Sequence, residues 1–179
     1  MVLTRFLYAL TRLIHRRRAL AEVMSGAQGN IRGSLHNLSM LKLKNQAIEV
    51  VVLDFDGVLA PHASVEPDED YFDLIADLLV QFQVYVLTNK PFIERMSALK
   101  ARFPGLKLVS GVRKKPYPDG LMVIQRDTGV PFEKILVVDD RLLTGILAAI
   151  DVGAKVVYAY PARKRYASNF FKEVAFQLL

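Results

Sequence analysis

Asp54 and Asp56 stand two residues apart at the end of the apolar run Val50-Val51-Val52-Leu53, just before Gly57. Carboxylates this close repel each other unless a cation or a proton intervenes. The spacing also occurs in ordinary turns and in calcium loops. A calcium loop needs further oxygen ligands where this chain has Val58 and Leu59. Polar groups close three later apolar runs: Thr88 with Asn89, Lys114 with Lys115, and Asp139 with Asp140. Brought together, they form a cluster of carboxylates beside a hydroxyl, an amide and a lysine. Crowded carboxylates raise one another's pKa, and binding a hard cation such as magnesium relieves this. A cation, a lysine and a hydroxyl suit a phosphoryl group, whose negative oxygens must be neutralised before attack. A carboxylate left free to attack would pass through a covalent aspartyl phosphate. Each residue also has a plainer reading. Thr88 could merely end a strand, Lys115 could be solvated with Lys114 taking its place, and Asp139 or Asp140 could cap the next helix. His62 reads as a solvated loop histidine, with a substrate contact as the alternative.

The elements that must position these groups alternate in type. The valine-rich run at 50–53 has the pattern of a strand buried on both faces. Further strands are predicted over 84–87, 106–109, 135–138 and 155–158. Between them the apolar spacing predicts helices over 71–82 (Phe72, Ile75, Leu78, Leu79, Phe82), from Pro91 to before Pro104, over 118–128 and over 142–150. A last amphipathic helix is predicted over 163–179. Such alternation implies a five-stranded parallel sheet, doubly wound by right-handed crossovers, with ligands bound beyond the carboxyl ends of the strands.

The 179 residues fit a single core, read as a body over 48–179 behind an extension over 1–47. With no cysteine there are no disulfides or thiolate metal sites. The net charge of +6 favours anionic partners, and no apolar run is long enough to span a membrane. Residues 1–47 hold eight Lys or Arg against the single acid Glu22. Leu3, Phe6, Leu7, Leu10, Leu13 and Ile14 fall on one helical face, with Arg5, Arg12 and Arg16 opposite and Arg17 and Arg18 following. This pattern suits a helix over 1–20 lying on an anionic membrane. A mitochondrial targeting segment and a helix packed on its own domain or on a second copy are the alternatives. Residues 25–39, rich in Gly, Asn and Ser, read as a linker, and 38–44 as a short helix.

Across roughly residues 48–160 the chain resembles the haloacid dehalogenase-like (HAD) phosphatases. Asp54-Phe55-Asp56-Gly57-Val58 looks like their first motif, Leu87-Thr88-Asn89 the second, Lys115-Pro116 the third, and Val138-Asp139-Asp140 with Thr144 the fourth. The resemblance implies Asp54 as nucleophile, and Asp56 as the acid that protonates the leaving alcohol and then activates water. Thr88, Asn89 and Lys115 would surround the phosphoryl group. Magnesium would sit on the Asp54 carboxylate, the Asp56 backbone carbonyl and a fourth-motif acid, Asp140 ahead of Asp139. Only 31 residues separate Asp56 from Thr88 and 26 separate Thr88 from Lys115, too few for a cap domain. Within capless members the likeness is to subclass IIIA, which includes phosphatidylglycerophosphatase-like proteins. The chain departs from that group at Gly57-Val58, and in holding Asp139 and Gly145 where the group has glycine and a second acid. The expected function is therefore a magnesium-dependent phosphomonoesterase, peripheral on the cytoplasmic or organelle-matrix side of a membrane and acting on a lipid phosphate. The alternatives are a soluble sugar-phosphate phosphatase of the oligomeric capless type and a non-catalytic phosphate-binding scaffold. No nucleic-acid partner is expected, because the basic residues lack interleaved aromatics.

Overall fold

A computed structural model describes residues 2–25, 31–33, 35 and 38–159. The predicted helix over 163–179 lies outside them. In chain order the elements are α1 (Val2–Ser25), β1 (Ile31–Gly33), α2 (Met40–Asn45), β2 (Val50–Leu53), α3 (Phe72–Gln81), β3 (Gln83–Leu87), α4 (Ile93–Arg102), β4 (Lys107–Val109), α5 (Asp119–Thr128), β5 (Ile135–Asp139), α6 (Leu147–Val152) and β6 (Lys155–Ala159). All pairings are parallel, and the sheet order is β1-β6-β5-β2-β3-β4. The five expected strands are present. A sixth, β1, forms within the segment read as a linker and adds to the edge of β6.

β2 lies at the centre of the sheet, and its side chains feed both layers. Val51 and Leu53 join the cluster under α3 and α4, with Ile75, Leu78 and Leu99. Val50 and Val52 join the opposite cluster, with Leu121, Ile124 and Leu147. All four β2 residues are at most 1% exposed. Burial at that level contributes about 2 kcal/mol per aliphatic side chain, so β2 anchors the sheet. The register sets Leu53 beside Val86 of β3 and Val138 of β5. The next residues along these strands therefore emerge together at one rim, and Asp54 N donates to Val138 O at 2.9 Å.

α1 lies against the sheet layer that carries α6. Ala9, Leu20 and Val23 are buried there, and Leu13 packs beside them. The Tyr8 hydroxyl donates to Asp151 at 3.0 Å, and Arg12 and Arg16 pair with the same carboxylate at 3.2 and 3.4 Å. The helix thus docks through part of its basic side. Leu3, Leu7, Leu10 and Ile14 remain exposed. Among the described residues no domain is inserted between β2 and β3 or between β3 and β5, and no helix is long and apolar enough to cross a membrane.

Candidate active site

The turn after β2 is built by its own sequence. Gly57 takes φ of +94°, a conformation that disfavours a side chain, and its N–H donates to Ala60 O at 2.7 Å. Leu59 and Ala60 both donate to Phe55 O, closing the chain tightly around Asp54 and Asp56. Asp54, Asp56, Thr88, Lys115, Asp139 and Asp140 are all buried at the strand-end rim, as the sequence leads one to expect.

The two lysines after β4 separate cleanly. Lys114 is exposed, while Lys115 turns inward and places Nζ 2.9 Å from Asp54 Oδ1 and 2.6 Å from Asp139 Oδ2. Asn89 fixes that geometry. Its side-chain carbonyl accepts from Lys115 N at 2.8 Å, and its amide donates to Lys115 O at 3.3 Å. The Asn89 side chain therefore holds the lysine backbone. Thr88 Oγ1 accepts from Lys90 N at 3.1 Å, which leaves its O–H hydrogen to donate into the site. Asp139 has two tasks, since its other oxygen accepts from Arg141 N at 2.9 Å and shapes the turn after β5.

Burial pushes the Asp54 carboxyl up to about 6; Lys115 opposes the rise and Asp139 adds to it. Burial would pull Lys115 down, but the charges of Asp139 and Asp54 outweigh it and hold the ammonium above its usual value. Asp54, Asp139 and Asp140 can bring one oxygen each within 4.8 Å of one another. Three buried carboxylates against one lysine leave a local excess of negative charge, and hard oxygen donors of this kind fit a small divalent cation.

Asp56 has different surroundings. Arg95 donates to both of its oxygens at 3.1 Å, and Ala63 N donates at 3.2 Å. His62 Nδ1 lies 3.6 Å away, with Nε2 3.1 Å from Arg141. Burial would raise Asp56, but His62, Arg95 and Ala63 together hold it well below the usual carboxylate range. His62 thus stands at the rim of the site rather than loose in solvent. Arg95, which is 0% exposed, also donates to Ser64 O and Lys90 O and stacks 3.9 Å over the Phe55 ring. No motif of the sequence marks it. The signal was an arginine on the inward face of α4, between Phe92 and Leu99 at helical spacing. Beside the rim, a cavity of about 220 Å³ between the ends of β3 and β4 is lined by Thr88, Asn89, Lys114, Lys115 and Tyr117. The Tyr117 ring lies 4.5 Å from the ring of Tyr8 on α1, so α1 forms part of the support of this wall.

No family model matches the chain, and no curated protein does. Solved structures do share its fold. A predicted HAD-like family hydrolase from Porphyromonas gingivalis superposes with a TM-score of 0.51 at 14% identity, covering 72% of this chain and 98% of that one. A HAD family enzyme from Bacteroides thetaiotaomicron, solved as a magnesium complex, gives a TM-score of 0.53 at 14% identity, with 69% and 98% covered. The same enzyme complexed with magnesium and inorganic phosphate gives 0.53 at 12%, with 69% and 99% covered. At these identities the likeness establishes the HAD-like α/β fold.

Proposed function

We propose that this protein is a magnesium-dependent phosphomonoester hydrolase that works on a phosphate group presented at an anionic membrane surface. The observation that carries the reading is the Lys115 ammonium, buried between Asp54 and Asp139 at the rim of a parallel sheet. A buried nucleophile-type carboxylate needs such a cation at hand to approach a phosphate dianion. One Asp54 oxygen attacks phosphorus while Lys115 and the Thr88 hydroxyl take up charge on the phosphoryl oxygens. The ester P–O bond breaks as Asp56, which must first take up a proton from solvent, gives that proton to the leaving alcohol. Asp56 then takes a proton from the water that attacks the Asp54 phosphate, which releases inorganic phosphate and restores the Asp54 carboxylate. Since Arg95 occupies both Asp56 oxygens, that pair must loosen as the leaving oxygen approaches. Asp54 and Asp140, with the Asp56 backbone carbonyl, would hold the magnesium, because Asp139 is already engaged by Lys115 and Arg141 N. Bound there, magnesium would neutralise the carboxylates and orient the phosphoryl group for in-line attack.

An uncapped site suits a bulky or surface-borne substrate. The exposed Leu3, Leu7, Leu10 and Ile14, with Arg17 and Arg18 on the same helix, support a lipid phosphate such as phosphatidylglycerophosphate and a peripheral location on a membrane. The test is a phosphatase screen of lipid, sugar and aryl phosphates, with magnesium or chelator and with or without anionic vesicles. Turnover should require magnesium, vanish in Asp54→Asn, and be highest for lipid phosphate in anionic vesicles. Turnover confined to soluble sugar phosphates would instead place the enzyme among soluble capless phosphatases.

A further inference from the structure

The loop that joins β4 to α5 carries more positive charge than the phosphoryl site uses. Lys115 turns inward, but Arg113 and Lys114 before it stay exposed. Both line the cavity of about 220 Å³ between the ends of β3 and β4. Arg113 is held in place there. Its Nε donates to Asp119 Oδ1 at 2.7 Å, and its guanidinium lies 4.4 Å from the centre of the Tyr117 ring. That ion pair is close to neutral. Lys114 supplies the net charge, since no carboxylate among the described residues pairs with it.

The backbone adds donors. Gly111 turns the chain with φ of +74°, where a Cβ would meet nothing within 4 Å, so conformation rather than space calls for glycine. From Gly111 to Lys114 no backbone N–H has a hydrogen-bond partner among the described residues. Successive amides around a left-handed turn residue make a concavity suited to an anion. Leu87, Val112 and Tyr117 give the same cavity apolar surface. At about 30 Å³ per water it has room for about seven water-sized groups, enough for a carboxylate or phosphate on a short carbon link. Thr88 and Lys115 belong both to its wall and to the phosphoryl site, so a substrate held there by its phosphate has the cavity beside it.

We propose that this cavity is an anion subsite for the rest of the substrate, taking a carboxylate or phosphodiester that lies a short carbon link from the ester being cut. Lys114, Arg113 and the Gly111–Lys114 amides then select substrates with two anionic groups over those with one. This selection rests on the phosphoryl-transfer reading above and goes beyond it, since that chemistry needs only one phosphate.

Two pairs of substrates, each assayed in magnesium, test it. In solution, 3-phosphoglycerate and glycerol 3-phosphate differ at the far carbon by a carboxylate against a hydroxymethyl group. In vesicles, phosphatidylglycerophosphate carries a phosphodiester near its ester phosphate, and phosphatidate carries none. In at least one pair kcat/KM should be about tenfold higher for the member with the second anion. Lys114→Gln, alone and with Arg113→Gln, should narrow that preference to about twofold or less, mainly by raising KM for the doubly anionic member. Lys114→Gln should melt with the parent, because the exchanged side chain is exposed. A preference in the soluble pair assigns the subsite to small phosphorylated acids, and one confined to vesicles assigns it to a lipid headgroup. A parent that prefers neither member, or a preference that both variants keep, would overturn the subsite while the phosphatase reading stands. Loss by the same factor on both members would also overturn it, since the two cations would then serve only the shared phosphate. If the parent hydrolyses no phosphomonoester, the phosphatase reading falls and the subsite with it.

Discussion

Asp54 and Asp56 share one loop, but their surroundings shift their pKa values in opposite directions. Asp54 is raised to about 6 from its ordinary 3.8, mainly by burial. A raised folded pKa contributes stability that is fully present below about pH 3.8 and is lost as pH rises through about 6. The metal-free protein should therefore lose on the order of 2–3 kcal/mol of unfolding free energy across that window. Asp54→Asn should flatten this part of the profile and abolish turnover while the protein stays folded; denaturant melts from pH 4 to 7 with chelator check the first point and a phosphatase assay the second. Asp56 runs the other way. Its depressed folded pKa gives stability that is present above about pH 3.8 and is lost as the solution becomes more acid. The two windows meet near pH 4 and can be separated. His62, Arg95 and Ala63 together keep Asp56 ionised, and Arg95 is the one that meets both of its oxygens. Removing it strands a buried carboxylate together with the carbonyls of Ser64 and Lys90. Arg95→Ala should cost about 3–5 kcal/mol in a urea melt. Arg95→Lys should recover little of it, since a single ammonium cannot reproduce the fork that meets both Asp56 oxygens.

Among the elements, those whose residue pattern and packing agree could be read from sequence. The Val50–Leu53 run, rich in valine and ending at acids and a glycine, reads as a strand buried on both faces, and it lies inside the sheet between β5 and β3. Gly57 follows the second acid and Gly129 follows the helix predicted over 118–128, and both take positive φ. β1 gave no such sign, since a three-residue strand ending in glycine acquires its conformation from the edge of β6. The start of the helix over 142–150 was also hidden. It opens as a wide turn, with Ile146 N bonded to Arg141 O at 3.2 Å, where Gly145 makes room for Asp139. For α1 the apolar spacing was legible but the docking face was not. Ala9, Leu20 and Val23 form a second, smaller apolar stripe, and the acid that draws Tyr8, Arg12 and Arg16 inward lies more than a hundred residues away at Asp151. Asp151→Asn should loosen this docking by about 1 kcal/mol, because the arginine ends remain partly solvated. Hydrogen exchange should then rise across Val2–Ser25 and stay unchanged in β2 and β5.

At the scale of the whole molecule, α1 joins two surfaces. Its inner side supports the wall of the site through Tyr8 and Tyr117, and its outer side presents Leu3, Leu7, Leu10 and Ile14 at spacings of four, three and four. The membrane surface proposed above is this apolar stripe, left open on a protein of net charge +6 with Arg17 and Arg18 exposed on the same helix. A second copy is a poorer match, because pairing two such helices brings arginine toward arginine with only Glu22 to offset it. Deleting α1 would test this badly, since it also removes the buried Ala9, Leu20 and Val23 and so uncovers their neighbours on β6 and α6. Substitutions on the outer side avoid that. Leu7→Ser with Leu10→Ser removes apolar contact, and Arg17→Gln with Arg18→Gln removes charge; neither pair disturbs a buried side chain. Each basic residue near an anionic surface contributes roughly 1 kcal/mol, so the arginine pair should weaken vesicle binding by about tenfold or more. Binding should weaken further as salt shortens the range of the attraction, and zwitterionic vesicles should hold little protein at any salt. Co-sedimentation of parent and variants with both kinds of vesicle reads these differences directly. Turnover of a soluble aryl phosphate should stay at the parent level in both variants, while turnover of vesicle-borne substrate falls with binding. Equal sedimentation of parent and variants would remove the outer stripe as a membrane surface, and a parent that runs as a dimer lost in Leu7→Ser with Leu10→Ser would assign that stripe to a second copy instead.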